Sequence, residues 1–275
     1  MTIHPPHPHS DQYSLMGKRA VVTGSSHGIG RAIALQLAGA GAELVIHGCH
    51  HQSEAEEVVN AIKQAGGKAL LHMLDLSQPE NQDQLVEQIW CDGPIDIWIN
   101  NAGADVLTGQ VASETFEARL QRLWQVDVVA TMRMSRDVGQ RMINQRQGVI
   151  LNMGWDQAQL NVAGNGGMAG DSGQMFAAIK GAIMAFSLSL AKSLAPQVRV
   201  NCLAPGWIRT SWGETAATEW QQRAKRESLL DRWGSPEDVA STAQFLVSDQ
   251  ATFINGQILS INGGCSGYEK WAGDE

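Results

Sequence analysis

The segment Thr23-Gly24-Ser25-Ser26-His27-Gly28-Ile29-Gly30 sits between a short apolar run and an amphipathic one. In a strand-turn-helix setting Gly24 permits a tight turn, Gly28 lets the backbone approach a pyrophosphate, and Gly30 allows close packing of helix on sheet. The helix N-terminus then stabilises the anion. Ser26, His27 and Ile29 complete the loop, and the segment is assigned to a bound dinucleotide, NADP(H) or NAD(H). The choice between the two falls to the end of the second apolar run, Ile46-His47-Gly48-Cys49-His50-His51. A carboxylate there would hold the adenine-ribose hydroxyls and repel a 2′-phosphate. No carboxylate lies between Leu44 and Ser53, and no Lys or Arg between Arg31 and Lys63. NADP(H) is therefore expected over NAD(H), with His27, His50 or His51 as the cations that protonation would supply; each reads equally well as a plain surface histidine.

Such a turn needs a sheet to hold it. Short apolar runs recur at Ala20 to Val22, Leu44 to Ile46, Ala69 to Met73, Ile95 to Ile99, Val149 to Met153, Val198 to Leu203 and Ile258 to Ile261. Between them lie helical patterns such as Ile29, Ile33 and Leu37, Val58 to Ile62, Leu85 to Ile89, and Phe116 to Met134. Strands apolar on both faces, alternating with helices, imply an α/β Rossmann-type doubly wound parallel sheet of about seven strands with helices on both faces. There is no internal repeat and no linker, so residues 17–275 are read as one domain behind a flexible N-terminal tail, 1–16.

The GxxxGxG spacing of the first turn, with Asn100-Asn101-Ala102-Gly103 after the fourth strand, resembles the short-chain dehydrogenase/reductase family. Further marks agree: Asp75-Leu76 after the third strand, Asn201 to Gly206 after the sixth, Arg232 to Ala240, Gly256-Gln257, and Asn262-Gly263-Gly264. The resemblance runs from Lys18 to Gly264. It implies a cofactor site made of Gly24, Ser26, His27, Gly28, Ile29, Gly30, Asp75, Leu76, Asn101, Ala102, Gly103, Lys180, Pro205, Gly206, Ile208 and Thr210, with Asp75 at the adenine and Pro205-Gly206 closing over the nicotinamide. It also implies a mobile substrate lid over about 207–230, and a homodimer or homotetramer built on the fourth and fifth helices.

Family members usually reduce carbonyls, or run the reverse, with a Tyr acid, a Lys that lowers its pKa and binds the ribose, a Ser that orients the carbonyl and an Asn in a water relay. Only the lysine matches. The Tyr-x-x-x-Lys segment reads Phe176-Ala177-Ala178-Ile179-Lys180, the serine aligns with Trp155, and the asparagine with Asp127. Loss of a general acid costs about 10²- to 10⁴-fold in rate, so a substitute is needed or catalysis is absent. Asp156 and then Asp171 are the carboxyls that burial or Lys180 would poise to donate a proton, with Ser172 nearby among Gly164, Gly166, Gly167 and Gly170. Both are also readable as loop carboxylates, Asp171 as a helix cap. Phe176, Ile179, Ile183, Phe186, Leu190 and Leu194 form a stripe that packing alone would explain. Trp155, Trp207 and Trp212 fall where the family lines its substrate pocket, which suits a flat or apolar substrate, or are large side chains filling space. Arg209 is a lone lid cation. Three readings follow: an atypical NAD(P)(H)-dependent oxidoreductase of a carbonyl or alcohol, a non-catalytic dinucleotide sensor, and a non-redox enzyme on the same fold.

Composition bounds the partners. The chain has 275 residues, 43% hydrophobic and 17% charged, with a formal net charge of −8 and a pI near 5.5. No basic surplus exists to neutralise phosphate backbones or anionic membranes, which leaves small molecules. Cys49, Cys91, Cys202 and Cys265 lack CxxC spacing and read as free thiols of a cytoplasmic protein. Met1 to Ser10 has no secretory pattern; its His4, His7 and His9, alternating with prolines, read as an extended segment rather than a metal site. Phe176 to Leu194 is apolar but interrupted by Lys180 and Lys192, so no membrane span is expected.

Overall fold

The computed structural model describes residues 13–160 and 171–264, with only the backbone course at Leu160, Asp171 and Trp212. Seven parallel strands form one sheet in the order β3-β2-β1-β4-β5-β6-β7: β1 Arg19–Val22, β2 Glu43–Gly48, β3 Ala69–Met73, β4 Ile97–Asn100, β5 Gly148–Met153, β6 Val198–Pro205 and β7 Ile258–Ile261. The helices are α1 Gly28–Gly39, α2 Gln52–Gln64, α3 Pro79–Cys91, α4 Phe116–Leu123, α5 Ala130–Asn144, α6 Gln157–Leu160, α7 Asp171–Leu194, α8 Ser211–Thr215, α9 Thr218–Glu227 and α10 Pro236–Val247. Each expected strand is present. Because both faces of the sheet are covered, β1, β2, β4 and β6 are buried over most of their length, which is why their sequences read as continuous apolar runs rather than alternating ones.

Two cores flank the sheet. On one face Ile33, Leu37, Val58, Ile62, Val239 and Leu246 from α1, α2 and α10 pack on Val22, Leu44, Ile99 and Leu203. On the other, Leu85, Ile89, Met134, Val138, Leu190 and Leu194 from α3, α5 and α7 pack on Val21, Val45, Trp98, Ile150 and Val200. The strand order reverses between β1 and β4, the position where doubly wound sheets open a crevice at their carboxyl ends.

The structure moves two boundaries. Tyr13 to Met16, assigned to the tail by sequence, belong to the fold: Leu15 is 2% exposed in the first core and its N–H donates to the Ala40 carbonyl. The pattern over Phe116 to Met134 is not one regular helix, because Trp124–Val129 makes a π-helical turn between α4 and α5. Such turns re-aim side chains and recur at functional sites, and this one carries Asp127.

Helix α7, 24 residues long, is by length and apolar composition the one described helix that would cross a membrane. Here it packs against β5, β6 and α5. Its stripe divides between cores, Ile179 and Ile183 lying with Val106, Leu123 and Val128, and Leu190 and Leu194 with the second sheet face.

Candidate active site

The glycine turn emerges from β1 and is held by its neighbours on both sides. Toward β4, the Thr23 hydroxyl accepts from the backbone N–H groups of Asn101 and Ala102, both at 3.0 Å, and the Asn101 side-chain amide donates to the carbonyls of Thr23 (3.1 Å) and Gly24 (2.9 Å). Gly24 has φ +62°, and a Cβ there would lie 2.7 Å from Ala102 Cα; a Cβ on Gly30 would run into the Gly24 carbonyl. Only glycine fits at these two places. The Gly28 position is bounded by the Thr210 methyl, 3.6 Å from where its Cβ would be, so the lid begins directly over the turn. His27, preceding α1, makes no side-chain cap hydrogen bond, and α1 has no acid in its first turn. The first N–H groups of α1 therefore remain for an anion to accept.

Toward β2, sequence reasoning missed the residue that holds the turn. His47 is 2% exposed, its Nδ1 accepts from the Gly24 N–H at 3.1 Å, and its Nε2–H donates to the Leu74 carbonyl at 3.0 Å. Since one ring nitrogen must accept and the other donate, the imidazole is neutral with its proton on Nε2. Burial pushes its pKa down to about 4. The same side chain thus ties the glycine turn to the segment that carries Asp75 and Leu76. Asp75 accepts from the Ser77 N–H at 2.9 Å and hydroxyl at 2.8 Å, and Leu76 is buried.

Beyond the turn lies a cavity of about 380 Å³. Ile29 and Asn101 bound it on the side of the turn, Pro205, Gly206, Ile208 and Thr210 above, and Trp155, Ser172, Phe176, Lys180, Trp207 and Trp220 on the remaining side. Among the described residues lining it, Lys180 is the one ionisable side chain. Trp155 and Phe176 meet edge to face at 6.3 Å between ring centroids. Ser172 also accepts from Arg119 Nη1 at 3.1 Å. Arg209 is exposed and takes no part in the wall.

Lys180, which has no acidic residue near it in the chain, gains one by folding. Its Nζ lies 2.9 Å from Asp127 Oδ2, with the carboxylate 2% exposed and the lysine side chain 14%. Asp127 Oδ1 accepts from the Ala104 N–H at 2.9 Å, and a Cβ on Gly103 would lie 3.0 Å from Oδ2, so the carboxylate is fixed against the segment after β4. Beneath this pair runs a polar ladder that sequence reading also missed: Trp98 Nε1 donates to Asn100, Asn100 donates to Ser135 and Asn152, and Asn152 donates to Ser187, all at 2.8 to 2.9 Å. These groups tie β4, β5, α5 and α7 together below the cavity.

Asp156, ranked first as a substitute acid, is buried but does not line the cavity. Its Oδ2 accepts from Asn262 Nδ2 at 3.0 Å behind Gly206, and Oδ1 has no hydrogen-bond partner among the described residues. Burial raises its pKa to about 6, against hydrogen bonds from Asn262 and Gln157 that lower it. The Asp171 side chain, the four loop glycines and the Trp212 side chain lie outside the described residues. No group of three His, Cys, Asp or Glu side chains among the described residues has metal-ligand spacing.

The start of the lid is clamped by aromatics. Trp207 Nε1 donates to Glu227 at 2.6 Å, Trp207 packs with Trp220 and Trp233 at centroid distances of 5.6 and 6.2 Å, and the Arg223 guanidinium stacks on Trp220 at 5.2 Å while pairing with Glu227. At the other end of the turn, Glu54 of α2 reaches back to His27. The sequence window that held no carboxylate ends one residue short of it, and the fold brings it to the strand end after all.

Residues 24–266 match the family profile described as enoyl-(acyl carrier protein) reductase. Among curated proteins the chain is 36% identical over 262 residues to 3-oxoacyl-[acyl-carrier-protein] reductase FabG of Aquifex aeolicus, covering 92% of this chain and 99% of that protein. It is 32% identical over 252 residues to the FabG of Escherichia coli, covering 90% and 97%. Among solved structures it is similar to a 7 alpha-hydroxysteroid dehydrogenase complexed with NADH and 7-oxo glycochenodeoxycholic acid, with a TM-score of 0.83, 29% identity and coverage of 96% and 100%. It is also similar to a 3-oxoacyl (acyl-carrier-protein) reductase from Agrobacterium tumefaciens C58 with NADP bound, with a TM-score of 0.82, 28% identity and coverage of 94% and 97%. Together with the parallel sheet and the glycine turn at its switch point, these matches place the chain in the short-chain dehydrogenase/reductase family of oxidoreductases.

Proposed function

We propose that the chain is an NAD(P)(H)-dependent oxidoreductase that interconverts a carbonyl and an alcohol on a flat or apolar molecule, with Lys180 handling the proton where the family uses tyrosine. The observation that carries this reading is the cavity wall: among the described residues, apart from Lys180, it offers aromatic and aliphatic surface, backbone and neutral polar groups. The residues present fit the dinucleotide. The turn leaves no room for a Cβ at Gly24 or Gly30, the α1 amides are uncapped by side chains, and Asn101 and Thr210 border the cavity directly beyond. When bound, the nicotinamide supplies or takes up the hydride.

This chain's own groups do the rest. The Lys180 ammonium donates to the substrate oxygen as charge develops there, and Asp127 aims the ammonium and offsets its charge. Phe176 and Trp155 carry no transferable proton; they bound the cavity and favour an aromatic or alicyclic substrate. Asp156, one step behind the wall, enters the reading only as a buried carboxyl beside Gly206. A homo-oligomer belongs to the same reading, since Trp124 and Leu188 are exposed apolar side chains beside α5 and on α7. A second reading, a dinucleotide-binding protein without turnover, is favoured by the missing phenol and serine hydroxyl.

The test is oxidation of NADPH and NADH with 9,10-phenanthrenequinone and a panel of cyclic ketones. Turnover in the parent chain that falls about 10²- to 10⁴-fold in Lys180→Met, and is kept in Asp156→Asn and Asp171→Asn, is the expected result. Phe176→Tyr should raise it, because a phenol beside Lys180 restores a second donor. Nucleotide binding without turnover across the panel would move the assignment to the second reading. Turnover that survives Lys180→Met but not Asp156→Asn would return the proton to the carboxyl.

A further inference from the structure

The family of the chain does not settle which nicotinamide nucleotide it takes, and the end of β2 is built unlike a fixed site for either. Glu54, in the first turn of α2, lies between two imidazoles: its Oε2 is 3.5 Å from His27 Nδ1 and its Oε1 is 3.3 Å from His51 Nδ1. The two rings meet edge to face at 5.2 Å, and the Ser26 hydroxyl lies 2.9 Å from His27 Nδ1. His27 is the residue before the second glycine of the turn, so in the cofactor reading above the cluster would border the pyrophosphate and adenosine ribose of a dinucleotide.

The charged and titratable groups around this cluster, among the described residues, come from several elements. From the segment joining β2 to α2 come Cys49, His50 and His51, with Cys49 Sγ 3.4 Å from His50 Nε2. From α2 comes Glu54; the neighbouring Glu56 is turned to Gln52 at 2.8 Å. From beyond β3 comes Asp75, whose charge raises the Cys49 thiol pKa after burial does. From α1, Arg31 lines a separate groove with Tyr13, Gln36 and Gln244. No lysine or arginine occurs from residue 32 to residue 62. Among the described residues, the ion-pair partners in the cluster are the imidazoles of His27 and His51 and the Glu54 carboxylate, with Asp75 behind Cys49.

We infer that the His27–Glu54–His51 cluster makes the choice between NADPH and NADH depend on pH, an inference that rests on the cofactor reading above. With both rings protonated the trio carries one net positive charge, and Glu54 is occupied by two imidazolium donors, so a 2′-phosphate is attracted. With both rings neutral the trio carries one net negative charge; Glu54 then repels a 2′-phosphate and is free to accept from a ribose 2′-hydroxyl. Imidazole is the side-chain type whose charge responds to pH in the physiological range. The groups are about half exposed, so the effect is strongest at low ionic strength.

The experiment is isothermal titration calorimetry with NADPH and with NADH at pH 6.0 and 8.5 in low salt, on the parent chain, Glu54→Gln and the double variant His27→Gln/His51→Gln. All three positions are exposed or half-exposed, and thermal melting checks that each variant is folded. The expected result is a preference for NADPH over NADH that weakens about tenfold from pH 6.0 to 8.5 in the parent. It should stay with NADPH at both pH values in Glu54→Gln. In the double variant it should keep only the part due to titration of the 2′-phosphate itself. Equal pH dependence in parent and double variant, or an unchanged preference in Glu54→Gln at pH 8.5, would overturn the inference and leave the cofactor reading standing. Absence of binding by either nucleotide at either pH would overturn both.

Discussion

The glycine turn and the cavity beyond it share a wall at Ile29, Asn101 and Thr210, yet they are made differently. The turn is fixed by backbone groups: Thr23, Asn101 and His47 all bond to main-chain amides or carbonyls, and Gly24 and Gly30 are set by clash. The cavity is fixed by side chains meeting side chains, Lys180 on Asp127, Trp155 on Phe176, and Trp207 on Glu227, Trp220 and Trp233. A phosphate recognised by backbone N–H groups constrains the sequence to residues that permit one backbone path. A cavity walled by side chains leaves each position free to vary with the side chains it touches.

The comparison can be broken most forcefully at Asp156, which belongs to the cavity side but is held as a buried carboxyl. Its folded pKa of about 6 stands above the ordinary 3.8, so the neutral form is favoured by folding. Stability from this group is fully present below about pH 4 and is lost as pH rises through 6, a loss on the order of 3 kcal/mol. Asp156→Asn should remove that slope and melt higher than the parent at pH 8; denaturant unfolding from pH 4 to 8 is the measurement. An unchanged slope would mean Asp156 is ionised and solvated, and the cavity floor is looser than described.

On the nucleotide side, Gly30→Ala should weaken NADPH binding about 100-fold, about 2.7 kcal/mol, because the new methyl meets the Gly24 carbonyl and Asn101 amide and displaces the turn. Calorimetry on the folded variant reads this directly, and a small loss would show that the turn yields as cavity side chains do. The smallest effect is expected at His47. Replacement by Phe keeps the bulk but removes one acceptor and one donor, costing about 1 kcal/mol, a fivefold loss of nucleotide affinity. Since the parent His47 pKa is lowered to about 4, its stabilising effect is present above pH 6.5 and is lost as pH falls through 4. Acid titration of the parent should therefore show a step that His47→Phe lacks.

Legibility followed the same division. The inner strands β1, β2, β4 and β6 were readable because residues buried on both faces must be apolar whatever their neighbours, and the half-buried edge strands β3 and β7 still begin and end where the apolar runs do. The turn was readable because its glycines are demanded by local geometry. What failed was pairing across distance. Lys180 read as a lysine without an acidic partner, since Asp127 lies 53 positions earlier and meets it only when a π-helical turn packs beside α7. His47 read as one histidine in a polar stretch, although burial and two backbone partners make it structural.

By itself the sequence determined the sheet, its helices and the glycine turn, because these depend on local periodicity and on which backbone conformations each residue allows. Only the tertiary structure decided which charges meet: Lys180 with Asp127, Glu54 with His27 and His51, and Asp156 with Asn262 away from the cavity wall. Electrostatic interaction depends on distance and burial in space, and separation along the chain fixes neither.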